Sequence, residues 1–420
     1  MCSANELIQV NLEKLIIEFE HRWVWKKLSA NTGLPLCIDT LELFQDRWSW
    51  NLISQNENIA WNFELLKKFK SQLSWNWIAK NEAVPWSDEI FNTFSELIRW
   101  DILSSNKAVT WTEALIQTHI HRWDWLSLNR NPALPWSADL IKTYPGLNNG
   151  IALSRNNGLP WSIDFIEQFP DAWCWKSLSS NHGLPWDADF IEYFQDKWDW
   201  ELLSRNKSVK WSAELLKKFE DKWSWVDLSR NNQLPLDVAL IQRFEDKWCW
   251  KTLQSNRGLK WTFEILERYE DKWNWQILSR NRNLPWSLEL LKKHEDNWDW
   301  QSSRLAISYN TAIPLEVEIV EQYQGKLDFK ALSRNNVKTW DLALLEKHND
   351  KWCWEALSGN NALPLSAELI EQYYDKWCWK SLSGNTALPL SIELIKQYED
   401  KWCWAALSEN PALLSCLTPA

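Results

Sequence analysis

Tryptophan returns at every twenty-fifth position of this chain. Trp25, Trp50, Trp75, Trp100, Trp125, Trp175, Trp200, Trp225, Trp250, Trp275 and Trp300 share one register, and Gly150 stands at the missing place. After a slip of four residues the series resumes at Phe329, Trp354, Trp379 and Trp404. Sixteen tandem units therefore cover nearly all of the 420 residues. A fixed period of this kind marks a repeat architecture, in which each unit is too small to bury its own apolar face and must stack on its neighbours. It overrides the usual expectation of two or three globular domains for this length.

The unit Asp271–Glu295 divides into two short helices. The first is predicted to start near Asp271 as N-cap and to carry Trp273, Trp275, Leu278 and Ser279. Trp273 and Trp275 are two residues apart, about 200° around a helix, so one should pack inside its own unit and the other against a neighbour. The helix closes at an asparagine that recurs in every unit. Asn131, Asn156, Asn181, Asn206, Asn231, Asn256 and Asn281 form the central part of this ladder. Asparagine tolerates the left-handed conformation that ends helices, and it also bonds to backbone of its own turn or of the next unit. A turn follows, often Leu-Pro, then Trp or Leu, then a Ser, Thr or Asp that caps the second helix, as in Trp161-Ser162. Pairs such as Leu215-Leu216, followed by Phe219, mark the buried face of that second helix.

The expected fold is all-α: an α-solenoid of about sixteen 25-residue helical hairpins, coiled into a superhelix or arc. In logic it resembles the tetratricopeptide class of helical repeats, with a period of 25 and without that class's signature residues. The array should run unbroken over residues 1–420, with a capping helix at 1–20 and an incomplete unit at 411–420. Two candidate breaks interrupt it. Residues 144–150 lose both tryptophans and gain Pro145, Gly146 and Gly150, which reads as a decayed unit or as a hinge. Four extra residues near Gln301 predict a helix one turn longer over 301–306.

Ser3-Ala4-Asn5-Glu6 has the form of a capping box, and no basic leader precedes an apolar run at the N-terminus. No run of eighteen apolar residues is present, so no membrane span is expected. Five cysteines sit inside Trp-Cys-Trp. Equivalent positions of stacked helices lie about 8–10 Å apart, too far for a disulfide, so they read as reduced thiols of a cytoplasmic protein.

Catalytic, metal and cofactor signatures are missing from the sequence, and the recurrent aspartates read as helix caps. The chain is not expected to be an enzyme or to need a cofactor. The polar feature that stands out is a basic row just before the ladder asparagine: Lys80, Arg130, Arg155, Arg205, Arg230, Arg280 and Arg334. Such a row pairs with neighbouring acids or tryptophan faces, binds acidic peptides or proteins, or follows a phosphate backbone. The two residues after each asparagine vary most, as in Asn232-Gln233 and Arg282-Asn283. A fixed frame with a variable display points to a non-enzymatic scaffold for a protein or peptide. The rival readings are single-stranded nucleic-acid binding, against which the net charge of −10 counts, and a structural spacer or homo-oligomer.

Overall fold

The computed structural model describes residues 4–300, 307–314, 316–335 and 342–417. Every regular element among them is a helix or a 3-10 turn, with no strand. The expected longer helix at 301–306 and Ser3 of the expected capping box lie outside the described residues. The chain divides into two compact units, residues 1–99 together with 314–420, and residues 100–313.

Most repeats contribute a helix of four to six residues beginning at the second tryptophan or, in two repeats, at Gly150 and Phe329 in its place, such as Trp200–Arg205 or Trp225–Leu228. A second helix of about six residues follows, such as Ala213–Lys218. The first of these starts later than the sequence suggested. Asp271 lies in a 3-10 turn, and Trp273 is extended at φ −88°, ψ 140°. The N-cap is the residue between the two tryptophans: Asp124, Asp199 and Asn274 each accept a hydrogen bond from a backbone N–H at the helix start, as does Asn149 at the same place in the repeat that lacks the tryptophan pair. The tryptophan pair is thus opposed because one residue is extended and the next but one is helical. The first, Trp273, lies edge-on against Trp250 and Trp261 of the preceding repeat. The second, Trp275, stacks on His294 at the end of its own repeat.

The indoles are also tied by polarity. In repeat after repeat the first tryptophan donates to a carbonyl of the preceding second helix, as Trp198 to Ile191 at 3.0 Å. The second donates to the carbonyl five residues before it, as Trp225 to Glu220 at 3.0 Å. The turn tryptophan donates to the ladder asparagine's own carbonyl, as Trp186 to Asn181 at 2.7 Å. Each such bond gives its ring one orientation beside a large apolar contact, while the buried indole N–H groups of Trp23, Trp48, Trp86, Trp211, Trp223, Trp261, Trp273 and Trp298 are held by packing alone. The second helices are capped as expected: Asn62, Ser87, Thr112, Ser162, Asp187 and Ser212 each accept from the N–H three residues on.

The asparagine ladder is made differently from the expected left-handed helix end. No described non-glycine residue has a positive φ, and Asn206 is extended at φ −69°, ψ 124°. The asparagine side chain does the joining. Asn231 Nδ2 donates to the carbonyls of Ser204 and Asn206 in the preceding repeat, at 3.0 and 3.1 Å. Its Oδ1 accepts from the Gln233 N–H at 3.0 Å. A second ladder runs beside it through a serine two residues before most of the asparagines. Ser204 Oγ donates to the Trp200 carbonyl and accepts from the Ser224 N–H of the following repeat, at 2.7 and 3.0 Å. These helices are so short that most of their backbone groups lack an internal partner, and the two ladders supply partners from the adjacent repeat.

The segment 144–150 keeps this register. Pro145–Leu147 form a 3-10 turn, and Leu147 is fully buried. Asn129 stands at the serine position and reaches the Gly146 carbonyl at 2.7 Å, while its Oδ1 accepts from the Asn149 N–H. Gly146 lies so close to the Trp125 ring that a Cβ would fall 2.4 Å from it. Asn156 makes both ladder bonds, to Asn129 and Asn131.

In the unit formed by residues 1–99 and 314–420, the two chain ends meet. The N-terminal helix Ala4–Glu18 places Leu15, Ile16 and Phe19 one period before Thr40, Leu41 and Phe44. It stands where the second helix of the last repeat would stand. Phe19 and Trp404 are 5.3 Å apart, as are Phe44 and Trp25. Both ladders continue across the junction. Asn31 Nδ2 donates to the carbonyls of Ser408 and Asn410, and the Val24 N–H donates to Ser408 Oγ. Arg22 pairs with Glu399 and Asp400, and Lys27 with Glu409. The expected capping helix and incomplete final unit are therefore two parts of one repeat, and Leu413 and Leu417 are buried beside them.

Candidate functional site

The basic row is exposed throughout, but its members have different surroundings. Arg205 and Arg230 converge on Asp227, at 2.8 and 3.8 Å, and Arg205 also pairs with Glu201. Burial works to raise the Asp227 pKa, yet hydrogen bonds from Arg205 and Ser224 outweigh it and hold the carboxyl below its ordinary value. Arg155 donates to Ser177 Oγ at 3.4 Å. Lys80 lies 4.6 Å over the Trp77 ring. Arg130 ends the helix Trp125–Arg130, and Arg334 follows Phe329–Leu332.

Arg280 is placed otherwise. It lines an open cleft of about 450 Å³ with Arg257 and Arg282. The cleft wall also includes Ser255, Asn281, Asn283, Tyr309 and Asn310, and no Asp or Glu is among its lining residues. None of the three guanidinium groups makes an ion pair with a described residue. The Asn283 side chain donates to the Arg257 carbonyl at 2.8 Å, which ties the two neighbouring turns together.

The serine and asparagine ladders depart from their pattern beside this cleft. Gln254 takes the serine position and its Oε1 accepts from the Asn274 N–H at 2.8 Å, doing the serine's work with a side chain longer by two atoms. Asn281 then donates to the Gln254 carbonyl alone, at 2.9 Å, and lacks the second bond that Asn256 makes to the Asn231 carbonyl. Asn281 is the one ladder asparagine that is not buried.

Of the residues singled out from sequence, the structure brings Arg280 and the Arg282-Asn283 pair to one place. The asparagine ladder proves to be the internal joint of the repeats. Sequence reasoning missed Arg257, Tyr309 and the serine ladder. The serine's signal was available: it occupies its position in all repeats but those with Ala79, Asn129 and Gln254. Gln254 marked the departure, and the structure shows that Asn281 beside it donates to the Gln254 carbonyl alone. No family model, curated protein or solved structure matches this chain.

Proposed function

We propose that this chain is a cytoplasmic, non-enzymatic repeat scaffold, an α-solenoid of 25-residue hairpins, that binds a protein or peptide through acidic groups docking at the Arg257–Arg280–Arg282 cleft. The observation that carries this reading is that three arginines and no carboxylate residue line one cleft, in a chain whose net charge is −10. Elsewhere in the row Arg205 and Arg230 are engaged by Asp227, Arg155 by the Ser177 hydroxyl and Lys80 by the Trp77 ring. Arginines without such partners are available for a ligand, and the planar guanidinium matches carboxylate and phosphate oxygens. The free thiols of the described cysteines accord with a reducing compartment, and no described helix is long and apolar enough to cross a membrane.

The test is an array of short random peptides probed with the wild-type chain and with the triple variant R257Q/R280Q/R282Q. Binding of acidic peptides that is lost in the triple variant supports the reading. Binding to no peptide, or equal binding by both proteins, overturns it. Preferential binding of a single-stranded oligonucleotide at physiological salt would replace it with a nucleic-acid function.

A further inference from the structure

We propose that the Arg257–Arg280–Arg282 cleft is a receptor for a phosphate monoester, the dianionic group of a phosphorylated side chain or of a small phosphate. This rests on the reading of the cleft as a ligand site and narrows its chemistry. The three cations come from two different sequence features. Arg257 and Arg282 are equivalent residues, each directly after a ladder asparagine, and Arg280 belongs to the basic row. A carboxylate engages one guanidinium fork. A phosphate monoester offers three oxygens and up to two charges, enough to engage several guanidinium groups at once.

The row positions on either side of Arg280 are Ser255 and Tyr309, and both line the cleft. Each brings a hydroxyl that is tied to no other described group. A tetrahedral anion can use such neutral donors beside the cations.

The same flanking residues separate this site from a nucleic-acid track. A phosphodiester chain presents one charge per nucleotide and is met by cations at successive positions along a groove. Here the row carries a cation at Arg280 and neutral residues at the preceding and following steps. Two steps further back, Arg230 is engaged with Asp227. Three arginines share one cleft instead of lying along a track, which fits a single phosphoryl group.

The experiment measures fluorescence polarisation of a short labelled phosphoserine peptide on the full chain. Matched peptides with Ser or Glu at that position and free O-phosphoserine as competitor complete the set. The phosphoserine peptide is expected to bind about tenfold or more tightly than either matched peptide. R280Q and R257Q/R282Q are each expected to weaken it by about tenfold or more. Its affinity should rise between about pH 5 and pH 7.5, as the phosphate takes its second charge near pH 6, whereas the Glu peptide should not follow that titration. Free O-phosphoserine that binds while no peptide does would uphold the phosphate site and overturn the peptide scaffold. Glu and phosphoserine peptides of equal affinity would overturn the phosphate site and leave the scaffold standing. Failure of every phosphate ligand, or equal binding by wild type and R280Q with circular dichroism unchanged, overturns the proposal.

Discussion

Replacing Asn231 by alanine tests the view that the asparagine ladder holds the repeats together. The side chain is almost fully buried and makes three hydrogen bonds, two across the repeat junction and one within its own turn. In Asn231→Ala the carbonyls of Ser204 and Asn206 and the N–H of Gln233 lose these partners together, and none of the three has another backbone bond. A hydrogen bond contributes about 1 kcal/mol net, and a buried group left unsatisfied costs about 1–3 kcal/mol. Partial access of water to the turn keeps the expected sum at about 3–5 kcal/mol. Arg230→Ala is the control. Its side chain is 61% exposed and lies 3.8 Å from Asp227, which keeps Arg205. An exposed pair of this kind is worth under about 1 kcal/mol. Urea unfolding followed by tryptophan fluorescence compares the two variants, and hydrogen exchange reads the Gln233 amide directly. In a repeat array each junction enters stability as a separate neighbour term, so the loss should appear as a lower midpoint or as local opening around residues 204–233. Equal losses in the two variants, or an unchanged Gln233 exchange rate in Asn231→Ala, would refute the reasoning.

The junction between the chain ends predicts that Asn31→Ala destabilises as strongly as Asn231→Ala, since Asn31 makes the same bonds to Ser408 and Asn410; a loss below about 1 kcal/mol in urea unfolding would show that the junction does not form in solution. Gly146→Ala should cost about 1–3 kcal/mol through overlap with Trp125, whereas Gly325→Ala, with nothing within 4 Å of its added Cβ, should be near neutral; thermal unfolding separates them. Burial lowers the pKa of His294 and His348, with Glu270 opposing the shift at His294 and Lys351 reinforcing it at His348. Each contributes stability that is present above the unfolded histidine pKa of about 6.5 and lost as pH falls below it toward the folded value. The H294F/H348F variant, which restores the aromatic found at this position in Phe219 and Phe244, should therefore lose less melting temperature than wild type between about pH 7 and pH 5; parallel acid limbs would contradict this.

The repeat, its two-helix division and the caps of the second helix were legible in the sequence because they are local or strictly periodic. Ser212 and Asp187 cap helices that begin one residue later. Leu215, Leu216 and Phe219 fall on one face at helical spacing, and all three are buried. The first helix was misjudged for a physical reason: Asp271 and Trp273 look like the start of a helix, but the backbone there is held extended so that the Asn274 N–H can reach Gln254 in the preceding repeat. A bond spanning one period leaves no local propensity to read.

The period of 25, the recurring asparagine and the supply of buried tryptophan determined that short helical units would stack, because helices of four to six residues are stable only against neighbours. The tertiary structure decided what those recurring residues do. Asparagine became a cross-repeat bridge instead of a left-handed helix end, because two carbonyls of the preceding repeat lie within reach of its amide. Phe19 completes the final repeat from the other end of the chain, which required the two ends to meet. The grouping of Arg257, Arg280 and Arg282 around one cleft was also decided there, since which side chains share a cavity depends on packing between repeats that no single repeat encodes.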